Sequence, residues 1–437
     1  MKNDIVRAKC VDMSVDGQGI CKADGLVIFV KGIIVDEIAD VKIISEKKNL
    51  CYGIIDKLIE KSPYRRESEC RISYKCGGCD WRYIDYDYQL VLKKKTLDNT
   101  FRGLDVKVSD VVKCADPFHY RNKVQVPFRN HLLGFYRKYS NDIVEFDDCY
   151  IESKEANDII LDLRKLLVDK KIDGYFRHIL IKHAFGSNEI MLGFIVRDLA
   201  VPHIEEITDC LVKKYPNIKS IILNLNTRDD NVILGNDEKV IYGKDYIMDI
   251  YDGIKAKISL KSFYQVNHEM MVKLYSKIKD LANINEDDEV LDLYCGIGTI
   301  GMFLCRYCKH VTGVEIVESA IINAKENAKI NGFSNIDFVL GDASKNMSEY
   351  LRNKDVVVVD PPRKGLGSKL VNELLASDVK KIVYVSCNPA TLARDLDLLK
   401  EKYSFDTIYP YDMFPYTTHV ESVCLLTKVK TRDKSTR

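Results

Sequence analysis

The first sixty residues alternate apolar and polar positions with a period of two, and glycines interrupt the alternation at short intervals. This pattern is typical of short strands that bury one face. Strands at this spacing predict a small β-barrel. The predicted strands are Ile5 to Val11, Val27 to Val30, Ile38 to Ile44 and Cys51 to Leu58, with turns at Gly17, Gly19 and Gly32.

Residues 61–260 mix strand-like and helix-like periodicities, which predicts a central α/β domain. Two apolar runs, Ile179 to His183 and Ile190 to Val196, are predicted to be neighbouring strands of one sheet. Ser153 is predicted to cap an amphipathic helix that runs to Leu167.

Residues 261–437 alternate apolar runs with helical stretches, the order expected of a doubly wound sheet. The run Val356 to Val359 consists of β-branched residues and predicts a parallel strand buried on both faces. Ligands of open α/β sheets gather at the carboxyl ends of such strands. We therefore expect any catalytic groups of this segment at that edge.

The length of 437 residues exceeds the roughly 100–200 residues of one ordinary domain. We predict a multidomain α/β chain with domains over 1–60, 61–260 and 261–437. The second border is loose, because Tyr86 to Val111 also fits the third domain. The tail from Lys428 onward is predicted to be disordered.

Composition places the chain among ordinary globular proteins, with 46% apolar and 30% charged residues. No apolar stretch approaches the roughly 20 residues that span a bilayer, and the start lacks an apolar signal core. We expect a cytoplasmic monomer without a membrane partner. In a reducing compartment the fourteen cysteines are better candidates for metal ligands, nucleophiles and core residues than for disulfides.

Positive charge concentrates between Tyr64 and Ser140, which hold sixteen Lys and Arg against nine Asp and Glu, although the whole chain carries a formal charge of +1. The run Lys93 to Lys95 lies in this segment, and aromatic residues are interleaved with it. Such a segment is a candidate RNA surface, while a solvated helix face is the alternative.

A glycine-rich turn, Gly296 to Gly298, follows the predicted strand Glu289 to Leu293 and precedes a helix predicted from Thr299 to Tyr307. Gly301 completes a G-x-G-x-x-G pattern, which lets a nucleotide ligand approach backbone amides. Glu315 ends the next strand, where a carboxylate can accept bonds from a ribose. Both a nicotinamide cofactor and S-adenosylmethionine carry such a ribose.

Asp342 follows the third strand and can accept a bond from an adenine amino group. Helix caps and solvated loop carboxylates are the alternatives for both acidic residues. The late strand Ser422 to Val429 resembles the antiparallel hairpin of Rossmann-like methyltransferases, which favours S-adenosylmethionine.

A thiol and two carboxyls follow or precede strands at the same predicted sheet edge: Cys387, Asp360 and Glu421. Cys387 lies before a helix capped by Asn388, whose positive end favours a thiolate. A buried structural cysteine is the alternative. The combination suits methylation at carbon 5 of a pyrimidine, with Cys387 adding to carbon 6 and Glu421 removing the carbon 5 proton. Asp360 and Arg363 are candidate contacts to the pyrimidine edge and to phosphate.

These segments resemble the RNA uracil-5-methyltransferase family that includes bacterial 23S rRNA and tRNA enzymes. The N-terminal segment resembles the TRAM domain, an OB-like barrel of RNA-modifying enzymes. The resemblance rests on Phe263 to Asn267, Asp292 to Gly298, Asp360 to Gly365, Ser386 to Pro389 and His419 to Ser422.

The resemblance implies a Rossmann-like methyltransferase domain that uses S-adenosylmethionine. It implies that Cys387 is the nucleophile, Glu421 the base and Phe263 a stacking partner of the target uracil. The implied donor-site residues are Gln265, Tyr294, Glu315 and Asp360, joined by Gly296 and Gly298 of the turn and, less firmly, by Asp342.

Three cysteines fall within ten residues, at Cys70, Cys76 and Cys79, and Cys149 follows at a distance. Four thiolates can hold zinc or a [4Fe-4S] cluster, and three clustered cysteines plus a distant one suit the iron-sulfur cluster better. Zinc and a loop without metal are the alternatives that the spacing leaves open. The resemblance favours iron and sulfur, because the 23S rRNA subfamily carries this arrangement. The pair Cys305 and Cys308 has no partner pair and is predicted to be core.

The leading hypothesis is an RNA uracil-5-methyltransferase that acts on 23S rRNA, with tRNA as the near alternative. A uracil inside folded RNA would reach the site by extrusion of its nucleotide. The neighbouring single strand would be bound by stacking and backbone contacts. A second hypothesis is a non-catalytic iron-sulfur protein that binds RNA, and a third is a nicotinamide oxidoreductase. A cytosine-5 methyltransferase would use similar chemistry, but the resemblance is to the uracil group.

Overall fold

A closed five-stranded barrel forms the N-terminal part of the computed structural model, which describes residues 2–47 and 50–429. Its order β1-β2-β3-β5-β4 is consistent with an OB fold. The four predicted strands are confirmed, and a fifth begins at Gly19, which the sequence pattern had predicted to be a turn. The strands are β1 (Ile5–Met13), β2 (Gly19–Ala23), β3 (Leu26–Lys31), β4 (Ile38–Lys47) and β5 (Leu50–Glu60).

The helix α1 (Tyr86–Phe101) and the short strand β6 (Lys107–Val108) follow the cysteine-rich segment. The side chain of Asp85 caps α1 by accepting hydrogen bonds from the backbone of Asp87 and Tyr88. β6 is the edge strand of the C-terminal sheet, so the Tyr86 to Val111 region lies with that sheet.

A six-stranded sheet of order β14-β13-β12-β11-β7-β8 forms the central part. β11 and β12 pair antiparallel, which confirms the predicted neighbours, and Ser153 caps α2 as predicted. The elements are β7 (Lys123–Arg129), β8 (Leu132–Leu133), β9 (Phe135–Tyr136), β10 (Ile143–Val144), α2 (Lys154–Asp169), β11 (Phe176–Ala184), β12 (Glu189–Val196), α3 (Ile204–Lys214), β13 (Ile218–Leu225) and β14 (Asp237–Gly243).

A hairpin of β15 (Tyr246–Tyr251) and β16 (Ile254–Ser259) and the helix α4 (His268–Ala282) connect the central sheet to the C-terminal sheet. One continuous apolar core contains Leu180 of the central sheet, Ile258 of the hairpin, Leu274 of α4 and Val290 beyond it. The hairpin and α4 therefore lie in one apolar core with both sheets.

The C-terminal sheet has nine strands in the order β19-β18-β17-β20-β21-β24-β23-β6, and β22 pairs with β24. β17 to β21 run parallel, whereas β24 is antiparallel to β21. The elements are β17 (Glu289–Leu293), α5 (Thr299–Leu304), β18 (His310–Glu315), α6 (Glu318–Ile330), β19 (Ile336–Leu340), α7 (Ser348–Leu351), β20 (Val356–Val359), α8 (Ser368–Ala376), β21 (Lys381–Ser386), α9 (Pro389–Leu399), β22 (Tyr403–Ser404), β23 (Thr407–Tyr411) and β24 (Glu421–Lys428).

The doubly wound arrangement explains the valine run of β20. Val356 and Val358 lie in the core on one face of the sheet, while Val357 and Val359 lie in the core on the other. All four are fully buried, as predicted.

Two local predictions were wrong. The helix after the glycine turn ends at Leu304 instead of Tyr307, and Cys305 and Cys308 lie buried just beyond it as core residues. Lys428 is the last residue of β24, not part of a disordered tail, and residues 430–437 lie outside the described ranges. No helix within 2–47 and 50–429 has the length and apolar character to cross a bilayer.

Candidate active site

The carboxyl ends of β17, β20 and β21 bring the predicted catalytic groups together. The backbone N–H of Asp360 donates to the carbonyl of Leu293 over 3.5 Å. In the antiparallel pair of β21 and β24, Ser386 lies opposite Ser422. Cys387 and Glu421 are the next residues beyond this last pair, and the charge of Glu421 acts on the Cys387 thiol, so the two side chains lie near each other.

The Cys387 thiol is half-buried at the start of α9, whose N-terminus is capped by Asn388 and begins with Pro389. Burial, followed by the charges of Glu421 and Asp360, raises the pKa of this thiol to about 11, although Arg363 acts in the opposite direction. Burial and the two carboxyls therefore oppose the predicted effect of the helix end, which favours the thiolate.

The carboxyl of Glu421 is 3% exposed, and its Oε1 has no hydrogen-bond partner among the described residues. Burial raises its pKa, and the charge of Asp360 adds to this rise, while Arg363 opposes it. Burial likewise raises the pKa of Asp360 to about 7. The three acidic groups therefore share one site with Arg363, and their titrations are coupled.

Arg363 lies in a loop that α9 fixes in place. The carbonyl of Arg363 accepts hydrogen bonds from Asn388 Nδ2 at 2.9 Å and Thr391 Oγ1 at 3.3 Å. Its guanidinium Nη2 lies 3.3 Å from Nε2 of His419. This loop therefore joins the start of α9 to the segment that precedes Glu421.

The glycine turn has three residues with left-handed backbone: Tyr294 (φ 64°), Gly296 (φ 56°) and Gly298 (φ 83°). A Cβ on Gly298 would lie 2.4 Å from the ring of Phe338, so only glycine fits there. Glu315 Oε2 accepts a bond from the N–H of Gly296 at 3.1 Å. The predicted turn and the predicted acidic residue are thus in contact.

Two polar groups under this turn lack partners within the part of the chain that is described: Tyr294 Oη and Asp292 Oδ1. Asp292 Oδ2 accepts the N–H of Gly301 at 3.0 Å. Burial and the charge of Asp360 raise the pKa of Asp292 to about 8. Buried orphan groups of this kind are expected where a polar ligand binds. The sequence pattern contained Asp292 but assigned it no role.

Asp342 is held by its own turn. Its carboxylate accepts bonds from the backbone and hydroxyl of Ser344 at 2.9 and 2.6 Å, and Lys345 lies 3.1 Å away. These bonds lower the pKa of Asp342 to about 2. The local contacts match the alternative of a loop carboxylate, although the charge of Asp342 also acts on Tyr294.

The segment from Phe263 to Asn267 lies between the two sheets. Gln265 is buried, its Nε2 lies 3.4 Å from Asp360 Oδ2, and its carbonyl accepts a bond from Asn122 of the central part at 2.8 Å. The Phe263 side chain is 68% exposed. This ring is therefore available to a ligand.

The loop before Glu421 is anchored by a residue that the sequence offered no signal for. Tyr416 has φ 65°, and its N–H donates to Gln89 Oε1 at 3.1 Å. Its carbonyl accepts from the backbone of Asp80 and Trp81, and the guanidinium of Arg82 lies 4.1 Å from its ring centre. The cysteine-rich segment thus holds the loop of the candidate base.

The lysine run of α1 is mainly structural. Lys93 and Asp412 are fully buried and form an ion pair at 2.5 Å, and Asp412 also accepts the hydroxyl of Tyr86 at 2.8 Å. Lys94 and Lys95 pair with Asp98 and Asp12. The run therefore fixes α1 instead of forming an open basic surface.

Cys70, Cys76, Cys79 and Cys149 line one cavity of about 400 Å³. Burial raises the pKa of Cys79 to about 12. Within residues 2–47 and 50–429, no three His, Cys, Asp or Glu side chains are grouped closely enough to hold a single metal ion. The four predicted ligands thus share one cavity.

Comparison with known proteins identifies the family of the chain. The sequence model described as tRNA (Uracil-5-)-methyltransferase matches residues 85–429. The chain belongs to the tRNA (uracil-5-)-methyltransferase family. This confirms the resemblance drawn from the motifs and makes the chain an RNA methyltransferase.

Relatives extend this similarity over the whole chain. An uncharacterized RNA methyltransferase of Halalkalibacterium halodurans is 39% identical, over 97% of each protein. An uncharacterized RNA methyltransferase of Bacillus cereus is 39% identical, over 98% of each protein. The crystal structure of Pyrococcus abyssi tRNA (uracil-54, C5)-methyltransferase in complex with S-adenosyl-L-homocysteine has a TM-score of 0.79 and 29% identity, covering 96% of this chain and 100% of that one.

Proposed function

We propose that the chain transfers a methyl group from S-adenosylmethionine to carbon 5 of uridine in RNA. The observation that carries this proposal is the position of Cys387 and Glu421 just beyond the last pair of β21 and β24, near enough to Asp360 for its charge to act on both, in a member of the uracil-5 family. The family also favours a methyl donor over a nicotinamide cofactor at the glycine turn.

The residues around the glycine turn fit the donor. The orphan hydroxyl of Tyr294 and the orphan oxygen of Asp292 are polar groups that a bound ligand would satisfy. Glu315 would hold the ribose. Gln265 Nε2 lies 3.4 Å from Asp360 Oδ2, and the charge of Asp360 acts on the candidate nucleophile Cys387. S-adenosylmethionine bound here would supply an electrophilic methyl group on a sulfonium.

The Cys387 thiolate attacks carbon 6 of the uracil, which converts the ring to an enolate with electron density at carbon 5. Carbon 5 then bonds to the methyl carbon as the carbon–sulfur bond of the donor breaks. Glu421 takes the proton from carbon 5, the double bond re-forms, and Cys387 leaves as a thiolate. The products are 5-methyluridine and the demethylated donor.

The site keeps the nucleophile protonated before substrates arrive, because burial and two carboxyls disfavour a thiolate. The positive charges of Arg363 and of the sulfonium would offset those carboxyls. Thiolate formation is then favoured when the donor is in place, which limits reaction of Cys387 with other electrophiles. Phe263, exposed beside the site, would stack on the extruded uracil.

For the RNA, we propose 23S rRNA, supported by the barrel, which is consistent with a TRAM domain, and by the four cysteines around one cavity. The tRNA alternative has its own observation, since the solved relative at 29% identity is a tRNA (uracil-54, C5)-methyltransferase.

We propose that Cys70, Cys76, Cys79 and Cys149 hold a [4Fe-4S] cluster. The cavity that all four cysteines line supports this assignment. Its structural effect would be to order the segment that holds Tyr416. Iron and sulfide analysis of anaerobically purified protein tests this; stoichiometric zinc without sulfide would contradict it.

The function is tested with labelled S-adenosylmethionine and undermethylated total RNA, followed by fragment mapping and nucleoside mass spectrometry. We expect label in 5-methyluridine of a 23S fragment, absent with Cys387→Ala and retained with Cys210→Ala, which removes an exposed cysteine. Label in tRNA would keep the chemistry and replace the substrate. No label in any RNA would reject the proposal.

A further inference from the structure

The segment that carries Phe263 begins at a tight turn at the end of β16. The N–H of Ser262 donates to the carbonyl of Ser259 at 3.2 Å, which closes the turn, and Phe263 follows directly. Leu260, within the turn, is buried in the core that joins the two sheets. The Phe263 ring is largely exposed, so its position depends on the backbone that carries it.

Lys182 of β11 holds this turn from the side of the central sheet. Its Nζ donates to the carbonyl of Ser259 at 2.8 Å and to the carbonyl of Ser262 at 2.7 Å. The Lys182 residue is only 5% exposed. A buried lysine is costly unless its donors find partners, and both partners here are backbone carbonyls of one turn.

The surroundings of Lys182 favour a hydrogen-bond donor over a charged group. Burial, followed by the charge of Lys123, lowers the pKa of Lys182 well below its usual value, while Glu238 acts in the opposite direction. A neutral amine keeps two N–H donors, as many as the carbonyls that Lys182 contacts. The bonds to the turn therefore do not require the positive charge.

A second buried side chain holds the same turn from the C-terminal sheet. Nδ2 of Asn323, on α6, lies 3.0 Å from the hydroxyl of Ser259 and 3.1 Å from that of Ser262. The two hydroxyls lie 2.8 Å from each other. The turn is therefore fixed between β11 on one side and α6 on the other.

The far end of the segment has a different anchor. The backbone N–H of Asn122 donates to the carbonyl of Val266 at 3.0 Å, and its Nδ2 donates to the carbonyl of Gln265 at 2.8 Å. Phe263 and Gln265 are only two residues apart, yet Lys182 holds the turn before the first and Asn122 holds the second. Loss of one anchor should therefore affect one of these residues more than the other.

We propose that Lys182 is a positioning residue for RNA, which holds the turn from Ser259 to Ser262 and thereby places the Phe263 ring for stacking on the extruded uracil. This inference rests on the proposed function, because it takes Phe263 as the stacking partner of the target base. A ring that is already in place loses less conformational freedom when the base binds. Lys182 thus acts through Phe263 and does not touch the RNA, the donor or the reacting atoms.

The test is a double-mutant cycle between Lys182→Met and Phe263→Ala, measured as kcat/KM for RNA. Phe263→Ala is expected to lower kcat/KM by about 5-fold to 100-fold, the usual effect of losing a base stack. Lys182→Met is expected to lower it by about 3-fold to 10-fold, the range for a lost hydrogen bond. When Phe263 is already alanine, Lys182→Met should change kcat/KM by less than about 2-fold, because the ring that it positions is absent.

Donor affinity, measured by calorimetry, separates the two ends of the segment. Lys182→Met should leave the Kd for S-adenosylmethionine within about 2-fold of wild type. Asn122→Ala, which frees the Gln265 end, should weaken donor binding more than Lys182→Met does. The reverse order would overturn the inference.

Lys123→Met is the matched control, because Lys123 is the register partner of Lys182 on β7 but is exposed. Any effect of Lys123→Met on RNA should be the same with and without the Phe263 ring. If urea unfolding shows that Lys182→Met does not fold, Asn323→Ala takes its place in the cycle with the same expected pattern, because it removes bonds to the same turn.

An equal factor for Lys182→Met in the wild-type and Phe263→Ala backgrounds would overturn the inference, even if RNA is methylated. Failure of the wild type to methylate any RNA would instead reject the proposed function. The two failures are therefore distinguishable in one set of measurements.

Discussion

Replacing Glu421 by glutamine should make the Cys387 thiol more acidic. The variant keeps the size of the side chain and removes a carboxyl that raises the pKa of Cys387. A thiol with a pKa of about 11 is ionised in roughly one molecule in 3000 at pH 7.5. Thiolate reactivity at neutral pH should therefore increase in Glu421→Gln.

Charges that shift a pKa act from within roughly 4–6 Å. At about 5 Å and an effective dielectric constant of about 20, Coulomb's law gives ~3 kcal/mol, or about 100-fold in the thiolate fraction. This is an upper bound, because it takes the carboxyl of Glu421 as fully charged, whereas burial raises the pKa of Glu421 and so disfavours the charged form. We expect a gain of about 10-fold to 100-fold.

The assay is the rate of Cys387 alkylation by iodoacetamide as a function of pH, read by mass spectrometry of the Cys387 peptide without RNA or donor. In wild type the alkylation rate should rise with pH throughout the range above neutrality. In Glu421→Gln the curve of rate against pH should be shifted to lower pH. Glu401→Gln, at an exposed position after α9, is the control. A curve that is unchanged or moves to higher pH would refute the electrostatic argument.

Four further outcomes are expected. With RNA and donor, Glu421→Gln should accumulate a methylated enzyme–RNA adduct on denaturing gels, because proton removal from carbon 5 precedes release; normal turnover would contradict its role as base. Lys93→Met leaves Asp412 buried without its cation and should lower the free energy of unfolding, measured in urea, by about 3–5 kcal/mol. Lys94→Met removes the more exposed pair with Asp98 and should lower it by less than about 0.5 kcal/mol. Equal losses in the two variants would contradict the importance of the buried pair. Tyr416→Ala should lower kcat with less effect on donor affinity, measured by calorimetry, because it frees the loop of the base. Gly298→Ala should abolish donor binding in the same assay, because its Cβ would clash with an aromatic ring at 2.4 Å; wild-type affinity would show that the turn can shift.

Local rules were enough to locate the candidate chemistry along the chain. The β-branched run of β20 and the Asn388 and Pro389 cap of α9 are recognisable in a single sequence, because periodicity and capping act over a few residues. The carboxyl ends of parallel strands lie at one edge of a sheet, so the residues directly after β17, β20 and β21 are expected to lie close together. Family membership followed from the same motifs.

Tertiary structure decided the burial, the charge environment and the partners of these groups. The pairing of β24 with β21 brings Cys387 and Glu421 to one end of the sheet, where burial and the charges of Glu421 and Asp360 raise the pKa of the thiol and oppose the effect of the helix end. Tyr416 and Lys93 find partners more than 300 residues away in the chain, and the four cysteines meet around one cavity. Desolvation and long-range pairing depend on which surfaces come together, and this information is absent from any short window of sequence.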